Sequence, residues 1–320
     1  MKLKDIFSFI VAEGRAADPR SAQQIDDMLA RRRKAFEEAP AAKRETLDRQ
    51  MLEHPYDDTR IVYGDPDRDA RHAMVGIDID TSELLLIDRL NARGKEKTDL
   101  ALSHHPAGPG FAQLYEVMDM QTDILNAVGV PVTVAEGLVE DRKKEIHRRL
   151  HAANHYRAAD AARLLDIPFI CMHTPADNHA TGFLQALFDK ERPQTLEQVV
   201  NILLGIEEYR AASRQHVAPT ILMGSASQRA GRIFVDMTGG TEGPQQIAEH
   251  LVTAGVGTVV GMHLSEEHYK KFQGKHINVV IAGHVASDTL GMNLLLDKLE
   301  TASRISTCAF SGFQRFRRKA

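Results

Sequence analysis

Pro168-Phe-Ile-Cys-Met-His173-Thr-Pro-Ala-Asp177 and, far downstream, Val279-Val-Ile-Ala-Gly-His284-Val-Ala-Ser-Asp288 follow one plan. Each is a short apolar run that ends in a histidine, with an aspartate four residues on. A run of this length reads as a buried strand, and strands that alternate with helical stretches read as an α/β protein with largely parallel pairing. The repeated ending predicts two pseudo-symmetric α/β lobes that bring the same chemistry to one site between them.

Outward from these two stretches the alternation continues. Strands are expected at His72–Ile79, Asp99–Leu102, Val130–Ala135, Ile233–Met237 and Gly257–Met262. Helices are expected at Thr81–Ala92, opened by Asp80 or Thr81, and at Phe111–Val128, Asp141–Leu165, Pro244–Ala254, Ser265–Phe272 and Ala286–Leu299. Residues 1–70 are rich in Ala, Arg, Glu and Gln, with Ile25, Met28, Leu29 and Phe36 at helical spacing. They read as a helical N-terminal extension suited to packing or oligomer contact. The expected order is this extension (1–70), a first lobe (71–190), a connecting segment (191–218) and a second lobe (219–320).

The 320 residues are 43% hydrophobic, enough for a core, so wholesale disorder is excluded. A net charge of −4 excludes a chain whose main work is coating nucleic acid or anionic lipid. Two cysteines, Cys171 and Cys308, make neither a disulfide scaffold nor a thiolate zinc site. Any metal would therefore be held by nitrogen and oxygen. There is no apolar run of about 18 residues, and the apolar start is broken by Asp5 and Ser8 with no convincing cleavage site, so a cytoplasmic protein is expected.

The strongest single motif is Leu100-Ala-Leu-Ser-His104-His105-Pro106-Ala-Gly108-Pro-Gly110. Adjacent side chains on a strand point to opposite faces, but the prolines and glycines end this strand at the histidine pair. At such a bend both imidazoles can enter one cavity beyond the strand's carboxyl end. Taken singly, His104-His105 also suits a surface loop, Asp177 a turn or helix cap, and His284 with Asp288 a strand end and first helical turn. The conjunction is informative: His104, His105, Asp177, His284 and Asp288 lie at three strand ends. Five such ligands exceed one tetrahedral zinc and suit two divalent ions about 3.5–4 Å apart.

Thr98-Asp99-Leu-Ala-Leu-Ser-His-His-Pro106, then His173-Thr-Pro-Ala-Asp-Asn178, then Gly283-His-Val-Ala-Ser-Asp288 resemble, in this order, the NGG-interacting-factor-three-like family, also called GTP cyclohydrolase I type 2 homologues. The likeness spans roughly residues 72–300 and includes Val75-Gly-Ile-Asp-Ile-Asp-Thr81 and Gly261-Met-His-Leu-Ser-Glu-Glu-His268. It implies a two-lobed α/β fold, a dinuclear metal centre and a toroidal homohexamer, with His104, His105, Asp177, His284 and Asp288 as ligands. The family's usual last ligand is Glu, so Asp288 is one methylene shorter.

The expected function is metal-dependent hydrolysis of a nucleotide or another phosphorylated small molecule, with two divalent ions (zinc, iron or manganese) as cofactors. His173 and His263 are the expected proton shuttles, His173 doubling as a ligand or a partner of Asp177. The alternative is a non-catalytic, metal-loaded regulatory or partner-binding assembly, or a metal store. No membrane or nucleic-acid partner is expected. Thr238-Gly-Gly-Thr-Glu-Gly-Pro244 reads as a tight connection or a phosphate cradle. Arg142, Lys143, Lys144, Arg148 and Arg149 read as a wet helix face or an anion-attracting rim. The tail Arg315–Lys319 is too short to argue nucleic-acid binding, and Cys171 reads as core.

Overall fold

A computed structural model describes residues 1–94 and 97–318. Among the described residues nine strands form two sheets: β1 (Thr59–Tyr63), β2 (His72–Gly76), β3 (Leu100–Ser103), β4 (Phe169–Met172), β5 (Thr220–Met223), β6 (Arg232–Asp236), β7 (Val256–Gly261), β8 (Asn278–Ile281) and β9 (Ser306–Ala309). The first sheet runs β1-β4-β3-β2-β9 and the second β5-β8-β7-β6. In both, the leading strand is antiparallel to its neighbour, and the next three are parallel. The leading strands even share an irregularity, at Ile61/Tyr63 and at Ile221/Met223. The two-lobed pseudo-symmetry is thus present in the strand order itself.

Side chains alternate across each sheet as the strand period requires. In the first, Val75, Leu100, Leu102, Ile170 and Met172 face one apolar layer, while Met74, Ala101 and Phe169 face the other. In the second, Val235, Val260 and Val280 oppose Phe234, Val259 and Val279. Burial on both faces is why four-residue strands suffice and why they read as plain apolar runs.

Two 19-residue helices are exchanged between lobes. The helix His173–Glu191 leaves the first sheet and buries Ala180, Leu184 and Phe188 against the second. The helix His284–Ala302 leaves the second sheet and buries Met292, Leu295, Leu296 and Leu299 against the first. The two pack directly on one another. A Cβ on Gly291 would lie 2.2 Å from the Ala176 carbonyl oxygen, so only glycine permits this approach. The helix Leu3–Ala16 covers the first sheet on the same face as His284–Ala302, burying Leu3, Ile6 and Ile10. Gly14 lets it lean on Pro175, which a Cβ would meet at 2.7 Å.

Several boundaries differ from those read in the sequence. Residues 1–70 are not wholly helical, because β1 lies within them and pairs with β4. The second lobe does not keep all of 219–320: β9 crosses back and pairs with β2. Val130–Ala135 is no strand; Pro131 precedes the helix Val132–His151, whose buried Ala135, Val139, Arg142 and Ile146 form a helical stripe. Asp141–Leu165 is two helices, the second being Tyr156–Leu165. The helix Thr81–Ala92 forms as expected, with a capping box of Asp80 and Glu83. Among the described residues, no helix is long and apolar enough to cross a membrane. Lys319 of the basic tail lies outside them.

Candidate metal centre

β3 delivers the tandem histidine. The His104 and His105 amides continue the ladder onto the carbonyls of Gly76 and Ile77 at 3.0 Å, and the Ser103 hydroxyl donates to the His105 carbonyl at 2.8 Å. That closure turns the chain so that both rings face one side, with centroids 5.1 Å apart. His173 and His284 are each the first residue of one of the exchanged helices, and Asp177 and Asp288 lie one turn on. Because those helices cross near their starts, strand ends from both lobes converge.

His104 is fully buried, with Nε2 at 3.4 Å from both Asp177 Oδ1 and Asp288 Oδ1. The other oxygen of Asp288 faces His105 Nε2 at 3.6 Å and His284 Nε2 at 3.7 Å. His173 Nε2 lies 3.7 Å from Asp177 Oδ2. Among the described residues, three overlapping groups of side chains could hold a metal ion: His104 with His105 and His173, His105 with His284 and Asp288, and His104 with Asp177 and Asp288. The structure therefore gathers all five residues singled out in the sequence, together with His173, which the sequence offered as a ligand or a partner of Asp177. Asp288 faces different imidazoles with its two oxygens, so the shorter side chain still reaches both halves of the cluster.

Two carboxylates stand behind the imidazoles. Asp58 Oδ2 lies 2.7 Å from His173 Nδ1 and also accepts from the Thr174 hydroxyl at 2.6 Å. Asp78 Oδ1 lies 2.7 Å from His105 Nδ1. Each fixes the ring so that Nε2 faces the cluster, the usual support of a metal-binding histidine. Sequence reasoning missed Asp58, which has no local motif, and gave no separate role to Asp78 within Val75-Gly-Ile-Asp-Ile-Asp.

The donor set fits a cation. Five of its buried polar atoms have no hydrogen-bond partner: His104 Nδ1 and Nε2, Asp177 Oδ1, and both oxygens of Asp288. Such atoms are rare in folded proteins because desolvation without a partner costs about 1–3 kcal/mol each. Burial pushes His104 down to about 4, partly offset by Asp288, so its ring is neutral with a lone pair to give. Burial, then the charges of Asp288 and Asp58, raise Asp177 well above the carboxylate range. Burial also pushes Asp288 upward, but His104, His284 and His105 outweigh it and hold it low. Positive charge between Asp177 and Asp288 relieves their repulsion.

His263 falls outside the three groups, with its ring 4.8 Å from that of His284. Its Nδ1 is 3.2 Å from Glu242 Oε1, and this carboxylate raises its pKa. His268 is buried and pinned by Ser265 Oγ at 2.7 Å and the Gly243 carbonyl at 2.8 Å. The loop 238–244 is a tight wall rather than a phosphate cradle. Gln121 donates to the carbonyls of Gly239 and Thr241, and Arg142 to that of Glu242, while the three-residue 3-10 turn Gln245–Ile247 stands between the loop and the six-residue helix Ala248–Thr253. The basic stretch is no anion-attracting rim either: Arg142, Lys143, Lys144 and Arg149 pair with acids, and none of its five members lines the cavity. Cys171 is buried in β4, as expected of core.

A cavity of about 510 Å³ opens from the cluster. His105, His173, Asp177 and His284 line one end, and β6, β7 and the loop 238–244 wall the other.

No family model matches the chain, and no curated protein matches it in sequence. Among solved structures it is similar to an NIF3 superfamily protein from Sphaerobacter thermophilus, at 26% identity and TM-score 0.71 over 80% of this chain and 92% of that one. It also shares its fold with reduced HcgD from Methanocaldococcus jannaschii, at 14% identity and TM-score 0.53 over 97% of each chain.

Proposed function

The chain belongs to the NIF3 superfamily, and we propose that its cluster holds two divalent cations and serves metal-assisted hydrolysis of a small molecule. The observation that carries this reading is the set of five buried, unpartnered nitrogen and oxygen atoms at the meeting point of the lobes. His105, His284 and Asp288 would hold one ion, and His104, Asp177 and Asp288 the other, with His173 adjoining the second. Paired cations lower the pKa of a water between them and polarise a carbonyl or phosphoryl oxygen. Zinc, iron and manganese all suit this donor set.

The chain's own residues then have distinct tasks. Asp58 and Asp78 keep His173 and His105 in the tautomer that faces the cluster. Glu242 keeps a proton on His263, which can pass it to a leaving group beside His284. The cavity admits a substrate of small-molecule size. A nucleotide or other phosphorylated compound, the expectation from the resemblance, would rely on the cations for its phosphoryl group. Among the described lining residues there is one arginine, Arg157, tied through Nε to Asp80 at 3.2 Å, and no lysine.

The test is hydrolysis of bis-p-nitrophenyl phosphate and of p-nitrophenyl esters by metal-replete protein. Turnover that disappears in His104→Ala and Asp288→Ala, with the fold retained, supports the hydrolase. Full metal loading without turnover of any ester or phosphoester favours a regulatory assembly or a store. The homohexamer belongs to the same proposal. It is supported by exposed apolar side chains on two adjacent helices, Leu85 and Leu86 on one and Tyr156 and Leu164 on the other.

A further inference from the structure

The two sheets match strand for strand except at one edge. In the first, the helix His284–Ala302 leads into β9, which pairs in parallel with the outer edge of β2 and sets Cys308 opposite Met74. The helix His173–Glu191 packs on the second sheet in the same way, but the chain then turns aside. Arg192 adopts the left-handed conformation (φ 49°), Pro193 follows, and Thr195 bridges Arg229 ahead of β6. Among the described residues no strand pairs with the outer edge of β6. One side chain holds that edge instead. The Gln185 amide donates to the Ile233 carbonyl at 3.2 Å and accepts from the Val235 amide at 3.0 Å, the two backbone groups that flank Phe234. A residue of a paired parallel strand makes the same two bonds, so Gln185 stands in for a strand.

Beside this edge lies a recess of about 850 Å³ that shares no lining residue with the metal cavity. Gly182 and Ala186 of the helix His173–Glu191 wall it on one face of the sheet, and Ala127 and Val128 of the helix Met120–Val128 on the other. Two arginines line it toward the start of β6. Arg192 lies two residues before Gln194, whose carbonyl accepts from the Ala230 amide at 3.0 Å, and Arg232 donates to the carbonyls of Val128 and Ala254. Among the described residues neither forms an ion pair, and Asp189, the acid of the lining, already accepts from Gln185 at 3.0 Å.

We propose that the outer edge of β6 docks an extended peptide segment of a partner protein, bound as a fifth, parallel strand in the place that β9 fills on β2. Backbone pairing supplies the affinity, and small apolar side chains at alternate positions meet the two helical walls. A segment parallel to β6 enters at the arginine end, so it carries acidic residues ahead of its apolar stretch. Gln185 covers the edge while it is empty and swings out when the segment binds.

The test titrates the full chain against a fluorescein-labelled peptide, Asp-Glu-Ser-Val-Thr-Val-Ala, and reads fluorescence anisotropy. Gln185→Ala removes the two bonds that the peptide must displace, and is expected to bind it about tenfold more tightly than the wild type. Replacing the two acids of the peptide by lysine should weaken binding severalfold, and Arg192→Glu should reverse that preference. Gly182→Phe and Ala127→Trp fill the recess from opposite walls, and each should abolish binding while keeping the circular dichroism of the wild type. No binding by either the wild type or Gln185→Ala, or equal binding by both recess-filling variants, overturns the proposal. Self-association of the chain that these two variants abolish, without peptide binding, gives the edge to a second copy and overturns it as well.

Discussion

Asp58 belongs to none of the candidate metal-holding groups, yet it fixes the orientation of an imidazole that does. Its carboxylate is fully buried and engaged with His173 Nδ1, Thr174 and Thr59. In Asp58→Asn the amide can turn a donor toward the ring, so the preferred tautomer is lost. Metal affinity is expected to fall about 10–100-fold, read by competition with a chelating dye, with changed ligand-field bands in the cobalt-loaded protein. A purely structural Asp58 would lower thermal stability and leave those bands in place. This residue also shows what was legible. His104, His173 and His284 announce themselves because an apolar run stops at each, whereas Asp58 lies in the polar stretch before β1, where an acid is unremarkable.

At the scale of elements, the exchanged helices decide whether the halves of the cluster meet. Asp177 and Asp288 sit in first turns that approach closely because Gly291 faces the Ala176 backbone. Gly291→Ala must push the helices apart, since a backbone carbonyl cannot swing aside as a side chain does. We expect a stability loss of at least about 2 kcal/mol by urea denaturation, with weakened metal binding. Unchanged affinity would mean that the helix crossing does not set the ligand spacing. The core strands of both sheets were readable, being apolar runs buried on both faces. β1, β5 and β9 were not, because edge positions allow exposed or intermediate residues, as in β9, which buries none of its four. Val130–Ala135 misled through its β-branched residues, although Pro131 followed by Ala135 and Val139 carries the helical period.

For the molecule as a whole, burial of neutral histidines predicts how stability follows pH. Burial pushes His54 down to about 3 and His179 to about 4. The unfolded chain takes up protons below the ordinary imidazole value of 6.5, and the folded chain refuses them until far lower pH. Their stabilising contribution is therefore complete above 6.5 and is lost as the pH falls toward 4 and 3. Each contributes a slope approaching 1.4 kcal/mol per pH unit at most, about 1 in practice. Unfolding measured from pH 7 to 4.5 should show stability declining on acidification, and His54→Leu should decline less steeply; parallel slopes would contradict this. For the assembly, light scattering is expected to give six times the chain mass of 35.6 kDa, and a monomer would remove the hexamer from the account.

The central claim is that residues from both lobes hold a pair of cations, and elemental analysis of protein expressed with ample metal and purified without chelator tests it most directly. We predict about two divalent ions per chain, falling to about one or none in Asp288→Ala, whose carboxylate serves both halves. A value near zero in the wild type, or full loading retained without Asp288, would contradict it.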